Sequence, residues 1–129
     1  MAGTEATPTH ETHCAQVFEL HKLKGFSPEQ RTRMKLFRTD QLWCEIACYE
    51  PGQSTVMHKH PFEEEAITVI EGTANMNIDG EEVALPQGTV VRFDKDVMHD
   101  VRNLQDTRCV IMFTKIPVKL ARSLEHNDG

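Results

Sequence analysis

Gly52-Gln53-Ser54-Thr55-Val56-Met57-His58-Lys59-His60-Pro61-Phe62-Glu63-Glu64-Glu65 is the stretch on which the reading of this chain turns. Pro51-Gly52 marks a turn, and the residues after it predict a strand over 54–60. On a strand, His58 and His60 stand two apart and leave the same face of the sheet, so the two imidazoles can share a ligand. Such a pair on an exposed strand is commonly just solvated, so its meaning depends on what surrounds it. A second strand, 65–71, opens with Glu65 and runs through Ala66-Ile67-Thr68-Val69-Ile70. If the hairpin is tight, Glu65 returns beside the two histidines and can face them. Glu63 and Glu64 read as a solvated acidic turn.

Working outward, short alternating runs predict further strands at 32–38, 42–50, 73–78, 82–85, 89–93, 98–103 and 108–115. Thr39-Asp40, Asp79-Gly80 and Pro86-Gln87-Gly88 mark turns between them. So many short strands point to an all-β domain, a barrel or double-sheet jelly roll, because either arrangement protects the strand edges. Ser27-Pro28-Glu29-Gln30 has the residue types of a helix start, but no helical stripe follows it, so at most one turn is expected there. Residues 1–15 and 120–129 carry no periodic apolar pattern and read as a flexible leader and a flexible tail around a single domain at 16–119.

The 129 residues suffice for one core, and 39% apolar with 26% charged residues is an ordinary globular composition. Lys and Arg number 14 against 20 Asp and Glu, a net charge of −6 that disfavours nucleic acid and anionic membrane surfaces as partners. The first residues have neither the basic start nor the apolar run of a secretory signal, and no run of eighteen apolar residues occurs, so the expected location is cytoplasmic. Cys14, Cys44, Cys48 and Cys109 lack CxxC spacing and read as reduced thiols. Cys44 and Cys48 share a strand face about 13 Å apart, too far for a bridge between them.

His99 lies in Val97-Met98-His99-Asp100-Val101, where His99, Val101 and Asn103 share one parity. A histidine among inward apolar positions needs a partner, and a local hydrogen bond is the commoner one. Together with His58, His60 and Glu65 it completes a set of four.

These residues carry a resemblance. Gly52 through Gly72 matches G-x5-H-x-H-x(3,4)-E-x6-G, the first motif of the cupin superfamily, and the six residues before Gly72 select Glu65 over Glu64. The second motif, G-x5-P-x-G-x2-H-x3-N, maps onto Gly88, Asp94, Asp96, His99 and Asn103, with aspartate in place of its proline and second glycine. Asp tolerates turn and left-handed conformations, so these replacements are expected to alter a loop and keep the ligand. The chain thus resembles a small single-domain cupin. That resemblance implies a double-stranded β-helix, a jelly-roll barrel, whose interior holds one divalent metal ion on His58, His60, Glu65 and His99 with open coordination positions. Imidazole and carboxylate without thiolate suit Fe(II), Mn(II), Ni(II) or Zn(II), iron or manganese being favoured.

Among other candidates, Arg92 either orients an anionic substrate or faces solvent, the latter being the commoner place for a strand arginine. Phe62, Trp43, Met57 and Met76 either line a pocket or fill the core, with core favoured. Tyr49 shares the parity of Trp43 and can serve as a proton donor, although nothing in the sequence places it near the metal. Cys44, Cys48 or Cys109 can approach the site, though burial is the simpler expectation. The functional expectation is a metal-dependent enzyme on a small-molecule substrate, a dioxygenase by preference. A metal-dependent isomerase, lyase or decarboxylase and a non-catalytic binding cupin stand as alternatives. Cupins pair through sheet edges and exchanged N-terminal strands, so residues 16–38 suggest a homodimer, which light scattering measures.

Overall fold

The structure, a computed structural model, describes residues 4–117. The predicted tail at 120–129 lies outside the described residues. In chain order the elements are β1 (Thr4–Glu5), β2 (His10–Glu11), β3 (Gln16–Val17), α1 (Leu20–Leu23), β4 (Thr32–Arg38), β5 (Trp43–Tyr49), β6 (Ser54–His58), β7 (Glu63–Glu71), β8 (Thr73–Ile78), β9 (Glu81–Pro86), β10 (Val90–Phe93), β11 (His99–Arg102) and β12 (Cys109–Pro117). All nine predicted strands form, with ends displaced by at most two residues, the usual uncertainty where a strand meets its turn.

A six-stranded sheet in the order β1-β4-β5-β12-β7-β10 faces a four-stranded sheet in the order β6-β11-β8-β9. The core between them joins Ala47, Tyr49, Ile67, Val69, Ile111 and Phe113 of the first sheet to Ala74, Met76 and Val101 of the second. Strand β5 is buried on both faces. Glu45, Ala47 and Tyr49 point inward, while Cys44, Ile46 and Cys48 point outward into a second apolar cluster covered by Phe18, Leu20, Leu23 and Phe26 from the N-terminal segment. This two-sided burial explains why the β5 sequence is nearly uninterrupted in apolar residues rather than cleanly alternating.

The N-terminal segment corrects one expectation. Residues 4–15 are not a loose leader: β1 lies parallel to β4 with Thr4 opposite Met34, and the Ala6 amide donates to the Lys35 carbonyl at 2.7 Å. Without β1, β4 would be a sheet edge with unpaired backbone groups, and Ala6 adds to the outer apolar cluster. β2 and β3 form a small hairpin of their own. The single helical turn among the described residues falls at α1, not at Ser27-Pro28. There the Glu29 amide donates to Ser27 Oγ at 3.2 Å, a cap-like bond with no helix behind it.

Met76 is core as expected, but Met57 (41% exposed) and Phe62 (78% exposed) are not. Met57 follows the pleat to the face of β6 opposite His58, and Phe62 sits on the turn into β7. The cysteines are free thiols. Cys44, Cys48 and Cys109 are buried, and burial raises the thiol pKa of all three, Cys109 to about 12. Among the described residues no helix is long and apolar enough to cross a membrane.

Gly72 joins β7 to β8 with φ +76°, and a Cβ there would lie 2.2 Å from the Arg108 carbonyl oxygen. Gly88 has a similar φ of +86° but open space around it. Gly88→Ala is therefore expected to cost about 1–2 kcal/mol from the left-handed backbone alone. Gly72→Ala should exceed that by about 1 kcal/mol or more, because the obstructing atom is backbone and cannot rotate aside. Equal losses in urea unfolding would refute the close-approach account.

Candidate metal centre

His58 ends β6 and His99 begins β11, and the two are direct cross-strand partners in the smaller sheet. His60 follows in the loop after β6, and Glu65 belongs to β7 in the larger sheet. Ligating atoms of His58, His60 and His99 all lie within 4.8 Å of one another, close enough to hold a metal ion. Glu65 joins them from the opposite sheet, with Oε1 2.9 Å from His99 Nε2 and 3.8 Å from His60 Nε2. All four residues singled out in the sequence are thus brought to one place.

The backbone decides which ring nitrogen faces inward. His58 Nδ1 lies 2.7 Å from the Val56 carbonyl and His99 Nδ1 lies 2.9 Å from the Val97 carbonyl. A carbonyl only accepts, so in the neutral rings Nδ1 carries the hydrogen and Nε2 presents a bare lone pair. His60 Nδ1 is 3.5 Å from Glu63 Oε1, which directs its Nε2 inward in the same way and gives Glu63 a supporting place that the sequence pattern leaves in solvent. His60 Nε2, His99 Nε2 and Glu65 Oε1 are buried and have no hydrogen-bond partner. Unpartnered buried acceptors cost free energy, and a cation among them would satisfy all three together. The residues present therefore fit a divalent metal.

Protonation of His58, His60 and Glu65 agrees with this donor set, whereas at His99 a proton on Nε2 competes with a cation for Glu65. Burial holds the His58 and His60 pKa values down, His60 to about 4 with the Lys115 ammonium adding to the effect. Burial likewise opposes charge on His99, but the adjacent Glu65 carboxylate outweighs it and raises the pKa. Burial works against ionised Glu65, yet His99 and Lys115 together keep its carboxyl below the usual range.

Sheet register builds the wall behind these side chains. Trp43 pairs with Lys115, Lys115 with Glu65, and Glu65 with Phe93, a row across four neighbouring strands. Phe93 stacks on His99 with ring centroids 4.3 Å apart and planes 8° from parallel. Lys115, only 6% exposed, holds its Nζ 3.9 Å from Glu65 Oε2 and 4.6 Å from the Trp43 ring centroid. A chamber of about 80 Å³ adjoins the histidines and is lined in part by Arg31, Arg33, Tyr49, Thr55, Phe113 and Lys115. Arg33 forms a two-pronged pair with the buried Glu45. Sequence reasoning missed Arg31, Arg33, Phe93 and Lys115. Lys115 had a signal, a charge at inward parity two residues after Phe113, whereas Arg31 precedes its strand and had none.

The remaining candidates separate clearly. Tyr49 does reach the chamber, its hydroxyl 2.7 Å from Thr55 Oγ1. Arg92 is on the solvent face, 64% exposed and paired with Asp94 at 2.8 Å. Asp96 adopts a left-handed φ of 67°, as its place in the second motif demands, and its amide donates to the His60 carbonyl at 3.1 Å. Asn103, fully buried, donates to the carbonyls of Tyr49 and Thr107 and anchors the end of β11.

A family model for the cupin domain matches residues 45–115, more than half of the chain. The chain belongs to the cupin family. This cupin is 31% identical over 83 residues to polyketide synthase CurC of Streptomyces cyaneus, covering 64% of this chain and 54% of that protein. It is 28% identical over 78 residues to the tetracenomycin polyketide synthase protein TcmJ of Streptomyces glaucescens, covering 60% of this chain and 52% of the relative. The matches thus span about half the length of these relatives. A conserved protein with a double-stranded β-helix domain from Klebsiella pneumoniae has the same fold, with a TM-score of 0.74 at 20% identity over 80% of this chain and 90% of that one.

Two outcomes follow for this cupin. His60→Ala should abolish the stoichiometric metal uptake expected of the wild type by elemental analysis of untagged protein, and retained uptake would defeat the assignment. Tyr49 is the single tyrosine, and burial raises its pKa to about 12. A phenol whose pKa is higher folded than unfolded contributes stability that is present below about pH 10 and lost as pH rises towards 12. Tyrosinate absorbance should accordingly appear only near pH 12 or with unfolding, and a transition at pH 10 in the folded protein would place the ring in water.

Proposed function

We propose that this cupin is a metal-dependent enzyme acting on a small organic molecule, with dioxygenase chemistry as the leading reaction. The observation that carries this reading is the set of buried acceptor atoms of His60, His99 and Glu65, with His58 beside them, next to a chamber that His58 and His99 line. We take the occupant to be one Fe(II) or Mn(II), held by His58, His60, Glu65 and His99. When bound, such a metal offers open positions at which oxygen or a substrate oxygen function is activated.

The chain's own residues supply the rest. Val56, Val97 and Glu63 hold the three rings in one orientation, so little reorganisation is needed when the site fills. Lys115 lies closer to the second carboxylate oxygen of Glu65, which favours the first oxygen as the ligand. Phe93, Val101, Ile67 and Phe113 line or back the site with hydrocarbon and exclude water from it. Tyr49 stays protonated across the physiological range and can keep a proton at its phenolic oxygen beside the chamber. The names of the two Streptomyces relatives support a polyketide-derived molecule as the substrate.

The test is oxygen consumption by Fe(II)-reconstituted protein with a panel of diketones, thiols and polyphenols. Metal-dependent uptake of oxygen with at least one of them is expected. Turnover that proceeds anaerobically with Zn(II) or Ni(II) would replace the dioxygenase by an isomerase, lyase or decarboxylase. Binding without turnover would make the protein a small-molecule binding cupin.

A further inference from the structure

A second cavity of about 470 Å³ lies beside the metal chamber, lined by Leu23, Phe26, Met34, Ile46 and Val56 among others. Met34, Ile46, Leu23 and Phe26 belong to the outer apolar cluster, so most of the groove lies against the outer face of the larger sheet, and it meets the chamber at Arg31, Arg33 and Thr55, which line both cavities. Size divides their tasks. The chamber's 80 Å³ has room for little more than the reacting end of a ligand, since a water molecule alone takes up about 30 Å³. The groove falls within the range of about 300–1,000 Å³ common for small-molecule sites.

Charge is distributed just as unevenly. In a chain of net charge −6, the residues lining the two cavities include Arg31, Arg33 and Lys115 and no aspartate or glutamate. Arg33 is matched by buried Glu45, and Lys115 stands next to Glu65. Arg31, by contrast, forms no ion pair or hydrogen bond among the described residues, although it lies at the boundary of both cavities. A bound divalent metal would make the shared region more positive still.

We propose that the ligand of this site is an organic anion with an apolar body, the body lying in the groove and its carboxylate or phenolate oxygen engaging Arg31 at the entrance to the metal chamber. This inference rests on the metal-enzyme reading above and names its substrate class. A guanidinium without an ion pair among the described residues, beside an apolar groove, selects for a charge-assisted, two-pronged contact to an oxyanion.

The probes are 1-hydroxy-2-naphthoate and its neutral amide, titrated calorimetrically into the full-length Zn(II)-loaded protein. The carboxylate is expected to bind about tenfold or more tighter than the amide. Arg31→Gln should erase that preference while leaving zinc stoichiometry and thermal stability unchanged, and Arg31→Lys should restore part of it. Equal affinity for the two probes, or a preference that survives in Arg31→Gln, overturns the proposal. Val56→Glu, which puts a like charge into the groove, should weaken both probes. If it instead dissociates an oligomer and leaves both affinities intact, the groove belongs to a second copy of the chain and the proposal falls. Repeating the titration after chelation separates the two levels. A preference that persists in protein unable to take up metal supports the anion site while overturning the metal reading, and metal uptake without any preference does the reverse.

Discussion

The structure depends on holding several hydrogen-bond acceptors at one buried point where the two sheets meet. His58 and His99 each give the hydrogen of Nδ1 to a carbonyl two residues earlier in the chain, Val56 and Val97, and turn the opposite nitrogen towards Glu65 and His60. Burying such a cluster is unfavourable unless a cation completes it. The same low-dielectric setting that makes unpaired acceptors costly strengthens every contact a bound ion makes.

Two-sided burial of the larger sheet makes this arrangement sustainable. Its outer face around β4, β5 and β12 is covered in part by the N-terminal segment, leaving the inner face free to grade from hydrocarbon to charge along each strand. On β12 the inward residues run Cys109, Ile111, Phe113 and Lys115, and on β5 they run Tyr49, Ala47, Glu45 and Trp43. One end of the barrel is thus a packed apolar plug, and the other collects the charged groups around the histidines. The left-handed turn at Asp96 fastens the β10–β11 connection to His60, and Asn103 holds the far end of β11, so the strand that carries His99 is fixed on both sides.

The aspartates at positions 94 and 96 show how a motif can be altered without losing its geometry. Asp96 takes up the left-handed conformation that a glycine would adopt freely, and Asp94 turns outward to pair with Arg92. What the loop must do, place His99 opposite His58, is set by strand pairing beyond it.

Much was legible in the residues by themselves. Alternation and turn residues located all nine long strands, because strand parity and turn chemistry are local properties of the chain, and the resemblance of Gly52–Gly72 and Gly88–Asn103 to the two cupin motifs pointed to His58, His60, Glu65 and His99 as the four groups that meet. The local pattern could not show that β1 completes the sheet, that Phe62 stays in water, or that Lys115, Arg31 and Tyr49 surround the chamber. Those outcomes depend on which distant strands become neighbours and in what register. The amino-acid order by itself determined which four side chains could meet, whereas only the closing of two sheets on each other decided their surroundings, since burial and electrostatic context are properties of groups brought together across many tens of residues.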